Sequence, residues 1–598
     1  MKPVAVAAVL AVSALANAAQ VIYVSPDGND ANSGLSWGSA KRTVGGALQA
    51  ASGPTQLWLR QGVYREMLTI DAAGIELYGG FAGDEASLEA RHGGATVLDA
   101  GSQGRVLRLN RAHGTVLDRL TLRNGNAVGF GGGLYSYQAD NVRLTDVVVE
   151  DCTSYTGNHG GGIAVANGSI ELTRVLVQRC STAGSGGGIN AVGAGFKATE
   201  LTVRECTAAR GGGLAMDAGL GYVTCSRFER NVATSTALEG GGAIWLRRVQ
   251  QVPFTRNFFV ENEAVYGSAA DLYDYTSTDV TNNVFSRNRA GSATILIRGY
   301  GAWPRLTHNT IADNVATVGN SAVYVADRGN GTFRNELIAY NRGPRAAVGR
   351  DGTADYNWSY ANFWMNDFGA FDSEQDLQRA GPTTTHTDPK FLNRTFLDDP
   401  LSYELSPDST VLDYGYLYAY DDFNGAARPV NSTGKAQAYP DKGAFEFQGV
   451  AQNVDLAGWR GPNGDGDQSF VKLRVRVREL NGALVAEDEL PQASRGFYLL
   501  RGERFAAGAG PFEVEFRVPG YLCRKVTLSA LPAHGSTGVD LDLIPGDVNG
   551  DNKVDMHDVA LMVLFADRTD PRTDLNGDGI TDVRDLSLTL SSFGRVGD

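Results

Sequence analysis

One residue position returns along this chain at intervals of 28, 28, 26, 25, 31, 26, 26 and 27, at Asn124, Cys152, Cys180, Cys206, Asn231, Asn262, Asn288, Asn314 and Asn341. Each follows a short β-prone stretch, as at 148–151 and 285–287. No helical heptad has such a period. Short strands and Gly-rich turns recurring every ~20 to 50 residues form stacked coils, none of which buries its apolar side without neighbours. A second marker keeps the same phase, the glycines at 131–133, 160–162, 186–188, 211–213 and 240–242, replaced later by Ser268-Ala269-Ala270, Ser292-Ala293 and Ser321-Ala322. Small residues suit sharp bends where backbones approach closely.

Composition agrees with repetition around an apolar core: 75 Gly against 19 Pro, with 24 Phe and 23 Tyr, fits neither a collagen nor a disordered chain. A net charge of −14 and the lack of a dense Lys/Arg run exclude nucleic acid as the main partner and leave room for bound cations. Residues 1–18 read as a signal peptide, with Lys2, the apolar stretch 4–15 and the small-residue site Ala16-Asn17-Ala18. The mature chain is therefore expected to be secreted, with no membrane insertion, since no other apolar run is long enough to span. Asn at one corner of successive coils is expected to hydrogen-bond along the column. The three successive cysteines there read as buried thiols, although adjacent rungs ~4.8 Å apart would also admit a disulfide.

The pairing of GG[GA][ILV] with F-x-x-[NC] resembles the repeats of right-handed parallel β-helix proteins, including polymorphic outer-membrane proteins. The opening, with Tyr23-Val24-Ser25-Pro26-Asp27-Gly28-Asn29-Asp30, the stretch 44–51 and Gly62-Val63-Tyr64-Arg65-Glu66, is similar to polysaccharide-lyase-like β-helix proteins. That resemblance implies a short helix at 44–51 capping the first coil, whose exposed rung would otherwise be a sheet edge. Asp388-Pro389-Lys390-Phe391, Asp413, Arg428-Pro429 and Asp441-Lys442-Gly443-Ala444-Phe445-Glu446 resemble the closing segment of such proteins. The expected body is a capped all-β solenoid over 19–448.

From 449 to 545 the period gives way to alternating strands at 471–477 and 512–518, read as a small β-sandwich in which Cys523 is buried filler. At 546–598 lies the most specific motif. Asp547, Asn549, Asp551, Lys553, Asp555 and Asp558 occupy loop positions 1, 3, 5, 7, 9 and 12, and return 27 residues later as Asp574, Asn576, Asp578, Ile580, Asp582 and Asp585. This is the oxygen set of a calcium loop, position 7 contributing its backbone carbonyl, so two Ca²⁺ ions are expected. Asp at position 12 and the apolar stretches 559–565 and 586–593 resemble a dockerin type I domain, which implies a small α-helical module and a cohesin-bearing partner. Positions 10 and 11, Met556-His557 and Val583-Arg584, differ between the copies.

Neither a polygalacturonase-type acid set nor a lyase signature is present. Asn158-His159-Gly160 resembles a His-Gly element of polygalacturonases but falls in the Gly corner, where a turn histidine is expected. If Ile163, Leu214, Ile244, Ile295 and Val323 point inward, residues one and three places later point outward. That sets Trp245, Arg247, Tyr273, Tyr275, Arg298 and Tyr324 on one ribbon suited to stacking on and hydrogen bonding to a sugar chain. Asp217, Arg247, Asp274 and Arg298 are the candidate catalytic residues should the chain be a polysaccharide lyase or glycoside hydrolase. The expectation is a secreted protein that binds, and in one reading degrades, polysaccharide. The alternative is a non-enzymatic surface or adhesion protein whose solenoid is a display scaffold.

Overall fold

The computed structural model describes residues 20–155, 159–391, 397–406, 409–429, 439–447, 450–461, 471–494, 497–500, 508–531, 535–536 and 539–598. The segment read as a signal peptide and Asn158 lie outside them. The chain divides into two compact units, 1–202 and 203–598.

In the first unit, helix Val44–Ala50 covers the opening coil as expected. The Thr43 side chain caps it by accepting Gly46 N, and Glu66, 22 residues downstream of Val44, accepts the Val44 and Gly45 N–H groups at 2.8 Å each. Such caps contribute about 1 kcal/mol each. Successive coils then lay strands on one another in parallel. One sheet runs Leu68–Ile70, Leu107–Asn110, Leu134–Tyr137, Ile163–Ala166 and Ile189–Val192. A second runs Gly62–Tyr64, Thr96–Asp99, Thr121–Arg123, Val148–Glu150 and Leu176–Gln178.

The second unit repeats the arrangement, with Leu214–Asp217, Ile244–Arg247, Ala270–Tyr273, Ile295–Arg298, Val323–Ala326 and Val348–Arg350 forming a parallel stack. Inward aromatics stack along its axis, Phe228, Phe259 and Phe285 having centroids 5.1 and 4.7 Å apart. Its corner column is the expected ladder. Asn231, Asn262, Asn288, Asn314 and Asn341 are fully buried, and each Nδ2 donates to the next residue's Oδ1 at 2.9 to 3.0 Å, ending on Asn366. A parallel ladder of Asn257, Asn283, Asn309 and Glu336 was not anticipated. Burial pushes the Glu336 carboxyl well above its usual range, so it enters the ladder neutral.

Three registers differ from the sequence reading. Asn124 stands one place before the column: it pairs in register with Asp151 and shares its left-handed φ, and Gly125 holds the column position. A Cβ at Gly125 would lie 2.0 Å from the Gly132 carbonyl oxygen, which forbids Asn there. The fifth glycine corner begins at Gly241, not Gly240, because the φ of +74° matches Gly160 and Gly186 at the same distance before the inward residue. Tyr275, expected on the ribbon, lies beyond its strand. The rung's outward residues are Asp271 and Tyr273, and Asp274 and Tyr275 form the following bend with φ of 40° and 53°.

All five cysteines are thiols. Cys152 and Cys180 are buried and donate to the Glu150 and Gln178 carbonyls at 3.1 and 3.2 Å. Toward the end of the coils, Arg428 is buried with Glu446 at 3.3 Å and donates to His308 Nδ1 at 2.7 Å, while the Asp441 carboxylate accepts the Asp413 and Phe447 N–H groups at 2.7 Å each. Burial, and then the Arg428 charge, keep His308 neutral.

Beyond 450 most strand pairings are antiparallel. Lys472–Glu479 pairs with Leu484–Ser494 and Gly508–Arg517, and Val450–Leu456 pairs with Phe497–Leu500. Two helices, Met556–Leu564 and Val583–Ser591, follow. Leu473, Val475, Val477 and Phe516 of the strands share one core with Val548, Met562 and Leu575. Cys523 is buried beside this core, and burial pushes its thiol to about 11. Among the described residues no helix is long and apolar enough to cross a membrane.

Candidate functional site

The coil register of the second unit fixes two outward columns on one sheet. Asp217, Arg247, Tyr273 and Arg298 are successive partners in one, and Ala215, Trp245, Asp271, Leu296 and Tyr324 in the other. The ribbon residues therefore come together, except Tyr275, which sits in the bend beyond its strand.

Much of this face is occupied by its own partners. Trp245 is only 4% exposed, between the Arg210 and Arg247 guanidinium groups at 5.4 and 5.5 Å from the ring centroid. Arg298 is buried, its guanidinium 3.9 Å from the Tyr273 centroid, and it donates to both Asp271 oxygens at 3.0 and 2.8 Å. Burial raises the Asp271 carboxyl, and Arg298 opposes the shift. Asp217 accepts from Arg247 and from Arg248, the latter at 2.8 and 2.7 Å. Burial would raise its carboxyl, but the two guanidinium groups more than offset this and hold it below the usual value. A carboxylate held in this way cannot donate a proton near neutral pH.

Of the four catalytic candidates, then, Asp217, Arg247 and Arg298 are members of ion pairs, and Asp274 belongs to a bend whose N–H and C=O bond to the Arg298 C=O and Arg248 N–H. What remains accessible is Arg247, Tyr273, Tyr324 and an aromatic corner. There Tyr275 and Tyr300, 48% and 62% exposed, meet edge to face at 5.6 Å, with Trp303 63% exposed three residues on. Tyr300 and Trp303 were missed because they lie outside the repeat's strands, in and just after a Gly299–Gly301 turn that no column marks.

Each C-terminal loop closes on its own acids. Asp558 Oδ1 accepts the Val548 and Asn549 N–H groups at 2.9 and 3.0 Å, and its Oδ2 accepts Asp555 N at 2.8 Å. Asp585 does the same for Asn576 and Asp582 at 2.9 and 2.8 Å. Asn549 and Asp551 each accept the N–H two residues on, as do Asn576 and Asp578. Asp547 and Asp574 accept from later loop N–H groups, Asn552 and Gly579. Lys553 and Ile580 are exposed, and each donates its backbone N–H within its loop. Asp574 Oδ1 is buried with no hydrogen-bond partner among the described residues, an arrangement that fits a hard cation. In the first loop burial, and also the nearby Asp558 and Asp551 charges, raise Asp547. The acids of neither loop form a triplet of mutually close ligand atoms among the described residues. The set that does converge is Asp84, Glu85 and His92, within 4.8 Å. Glu85 there already accepts four backbone N–H groups, which explains the set as a loop closure.

His159 accepts the Ser185 N–H through Nδ1 at 2.9 Å, consistent with a turn histidine. The face that the sequence reading overlooked lies in the first unit, where Arg108, Tyr135 and Tyr137 take the outward positions.

Residues 132–301 match the family model described as right handed beta helix region. No curated protein matches. Among solved structures, the chain is similar to XylC in complex with xylose (9% identity, 71% of this chain and 98% of that one, TM-score 0.39). It is also similar to pectin methylesterase PemA from Erwinia chrysanthemi (11%, 60% and 95%, TM-score 0.19) and to a cohesin–X–dockerin complex from Acetivibrio cellulolyticus (16%, 25% and 97%, TM-score 0.19). At such TM-scores these likenesses support no functional statement. The family match and the parallel coil register together make the body of this chain a right-handed β-helix.

Proposed function

We propose that this is an exported β-helix protein that binds extracellular polysaccharide, carries two Ca²⁺ ions in its C-terminal loops, and attaches through that dockerin-like module to a cohesin-type partner. The observation that carries the first part is the exposed Tyr275–Tyr300 corner with Trp303, continuous in sequence and register with half-buried Tyr273 and Arg247. Aromatic faces held by rigid coils stack on pyranose faces at little entropic cost, and Arg247 reaches hydroxyl or carboxylate groups. Binding is favoured over cleavage, because the acid Asp217 on this face is held ionised and Asp271 is buried against Arg298. The same pairs favour a display surface over an enzyme.

Asp547, Asn549, Asp551, Asp555 and Asp558 would hold the first ion and Asp574, Asn576, Asp578, Asp582 and Asp585 the second, with the Lys553 and Ile580 carbonyls. The bound cation would neutralise acids that otherwise repel one another. Because the module and the preceding antiparallel strands share one core, which we read as a β-sandwich joined to the dockerin-like helices, ion binding stabilises both.

Retention on a panel of insoluble plant and microbial polysaccharides tests this, with reducing ends and unsaturated uronates followed in parallel. Retention lost in a Tyr275→Ala, Tyr300→Ala double variant is expected. Product release by the native chain would replace the binding reading with an enzymatic one. Calorimetric titration with Ca²⁺ should give two sites and a higher Tm for the C-terminal transition, and no heat of binding would remove the calcium assignment.

A further inference from the structure

In the first unit the outward face of strands Leu107–Asn110 and Leu134–Tyr137 sets Arg108 beside Tyr135 and Asn110 beside Tyr137. The Arg105 guanidinium lies 5.1 Å from the Tyr135 centroid, held there because its Nε donates to the Phe130 and Gly131 carbonyls at 3.0 and 2.9 Å. Tyr137 and Phe130 flank Tyr135 at 6.0 and 5.5 Å, and His159 continues the row 5.9 Å from Phe130. At the end of the strand Arg111 is exposed and donates to Gln138 Oε1 at 3.0 Å.

Among the described residues, none of Arg105, Arg108 and Arg111 pairs with an acid. The chain's acids outnumber its bases, 67 to 53, and other coil arginines do meet carboxylates, as Arg174 meets Asp146 and Arg179 meets Asp151 at 2.7 Å. Two acids border the patch without meeting its arginines, Asp71 accepting from Asn110 at 2.9 Å and Asp140 facing His113 at 3.4 Å. Burial, and then the Arg108 charge, disfavour the Arg105 cation. Uncompensated guanidinium groups fixed along an aromatic row are complementary to a ligand that repeats both an anionic group and an apolar ring face.

We propose that this face binds an acidic polysaccharide, its sugar rings stacking along Tyr135 and Tyr137 while Arg105 and Arg108 pair with carboxylate or sulfate groups. The inference adds a second glycan surface and a ligand class to the reading above, and it does not depend on the Tyr275–Tyr300 corner.

The test uses the full chain with Ca²⁺ and measures affinity for polygalacturonate, its methyl-esterified form and dextran sulfate, in native, Arg108→Gln, Arg105→Gln and Tyr135→Ala proteins checked for folding by circular dichroism. Polygalacturonate or dextran sulfate affinity should fall by about tenfold in the Arg108→Gln variant, the loss of roughly one charge-assisted contact. It should fall also in Tyr135→Ala, and esterification should weaken binding. The two anionic polymers decide between carboxylate and sulfate. Arg108 is exposed, so its replacement leaves the fold intact even if Tyr135→Ala does not. Unchanged affinity in both arginine variants would overturn the proposal, as would equal binding of the esterified polymer. A loss confined to the Tyr275→Ala, Tyr300→Ala variant would overturn this proposal while sustaining the other surface.

Discussion

The two units present the same kind of sheet face with opposite electrostatic finish. On the second unit's face the arginines are matched: Arg247 and Arg248 by Asp217, and Arg298 by Asp271, with partner residues 27 to 31 positions apart in the chain. On the first unit's face Arg105, Arg108 and Arg111 lie among Tyr135, Tyr137 and Phe130 without a carboxylate partner among the described residues. The lesson is that similar residue types on similar coils acquire different roles according to whether the next rung supplies the counter-charge. A matched guanidinium stiffens the coil, and an unmatched one remains available to a ligand. The corner columns show the matched state at its fullest, since each buried Asn of the second unit satisfies its neighbour.

The comparison can be broken most forcefully at Arg298. Its replacement by Ala leaves Asp271 buried without its cation and should cost about 3 to 5 kcal/mol, read by urea unfolding. A double Arg298→Met, Asp271→Asn variant should recover much of that loss. Asn288→Ala interrupts the ladder by removing the acceptor of the Asn262 backbone and side-chain N–H groups and the donor to the Phe259 carbonyl, for a loss of about 1 to 3 kcal/mol in the same measurement. A change within error at either position would mean that the matched contacts contribute little.

Asp217→Asn makes the second face resemble the first. It should cost only about 1 kcal/mol, because Arg247 and Arg248 are well solvated, and it should raise retention on polygalacturonate at low salt. Unaltered retention would show that unmatched arginines alone do not recruit an anionic polymer. The smallest effect is expected for Glu336→Gln. The folded-state carboxyl lies above its unfolded value, so its contribution is full below the unfolded pKa and declines as pH rises toward the folded one. The variant should therefore match the native Tm below the ordinary carboxylate range and exceed it increasingly as pH rises above that range, as thermal melts would register.

The coils, the helix at 44–50, the inward Ile244, Ile295 and Val323, and the Asn column were all legible, because each follows from a period and a residue type. The second ladder through Asn257, Asn283 and Asn309 was equally periodic but overlooked beside the first. Asn124 was misplaced by one residue, since Asn suits both the column and the left-handed bend preceding it. The ribbon was found because alternation assigns outward positions, but its accessibility was not. Sequence shows that Trp245 and Arg298 point away from the core, not that Arg210, Arg247, Tyr273 and Asp271 close over them.

By itself the sequence determined a stack of coils, the helix over its opening coil, and a twice-repeated pattern of loop acids, since these depend on spacing within one repeat or loop. Tertiary structure decided which arginine meets an acid, which aromatic reaches solvent and which carboxyl is neutral. Those outcomes depend on contacts between rungs whose lengths vary from 25 to 31 residues. A one-residue change in that count turns a side chain to the other face of its strand.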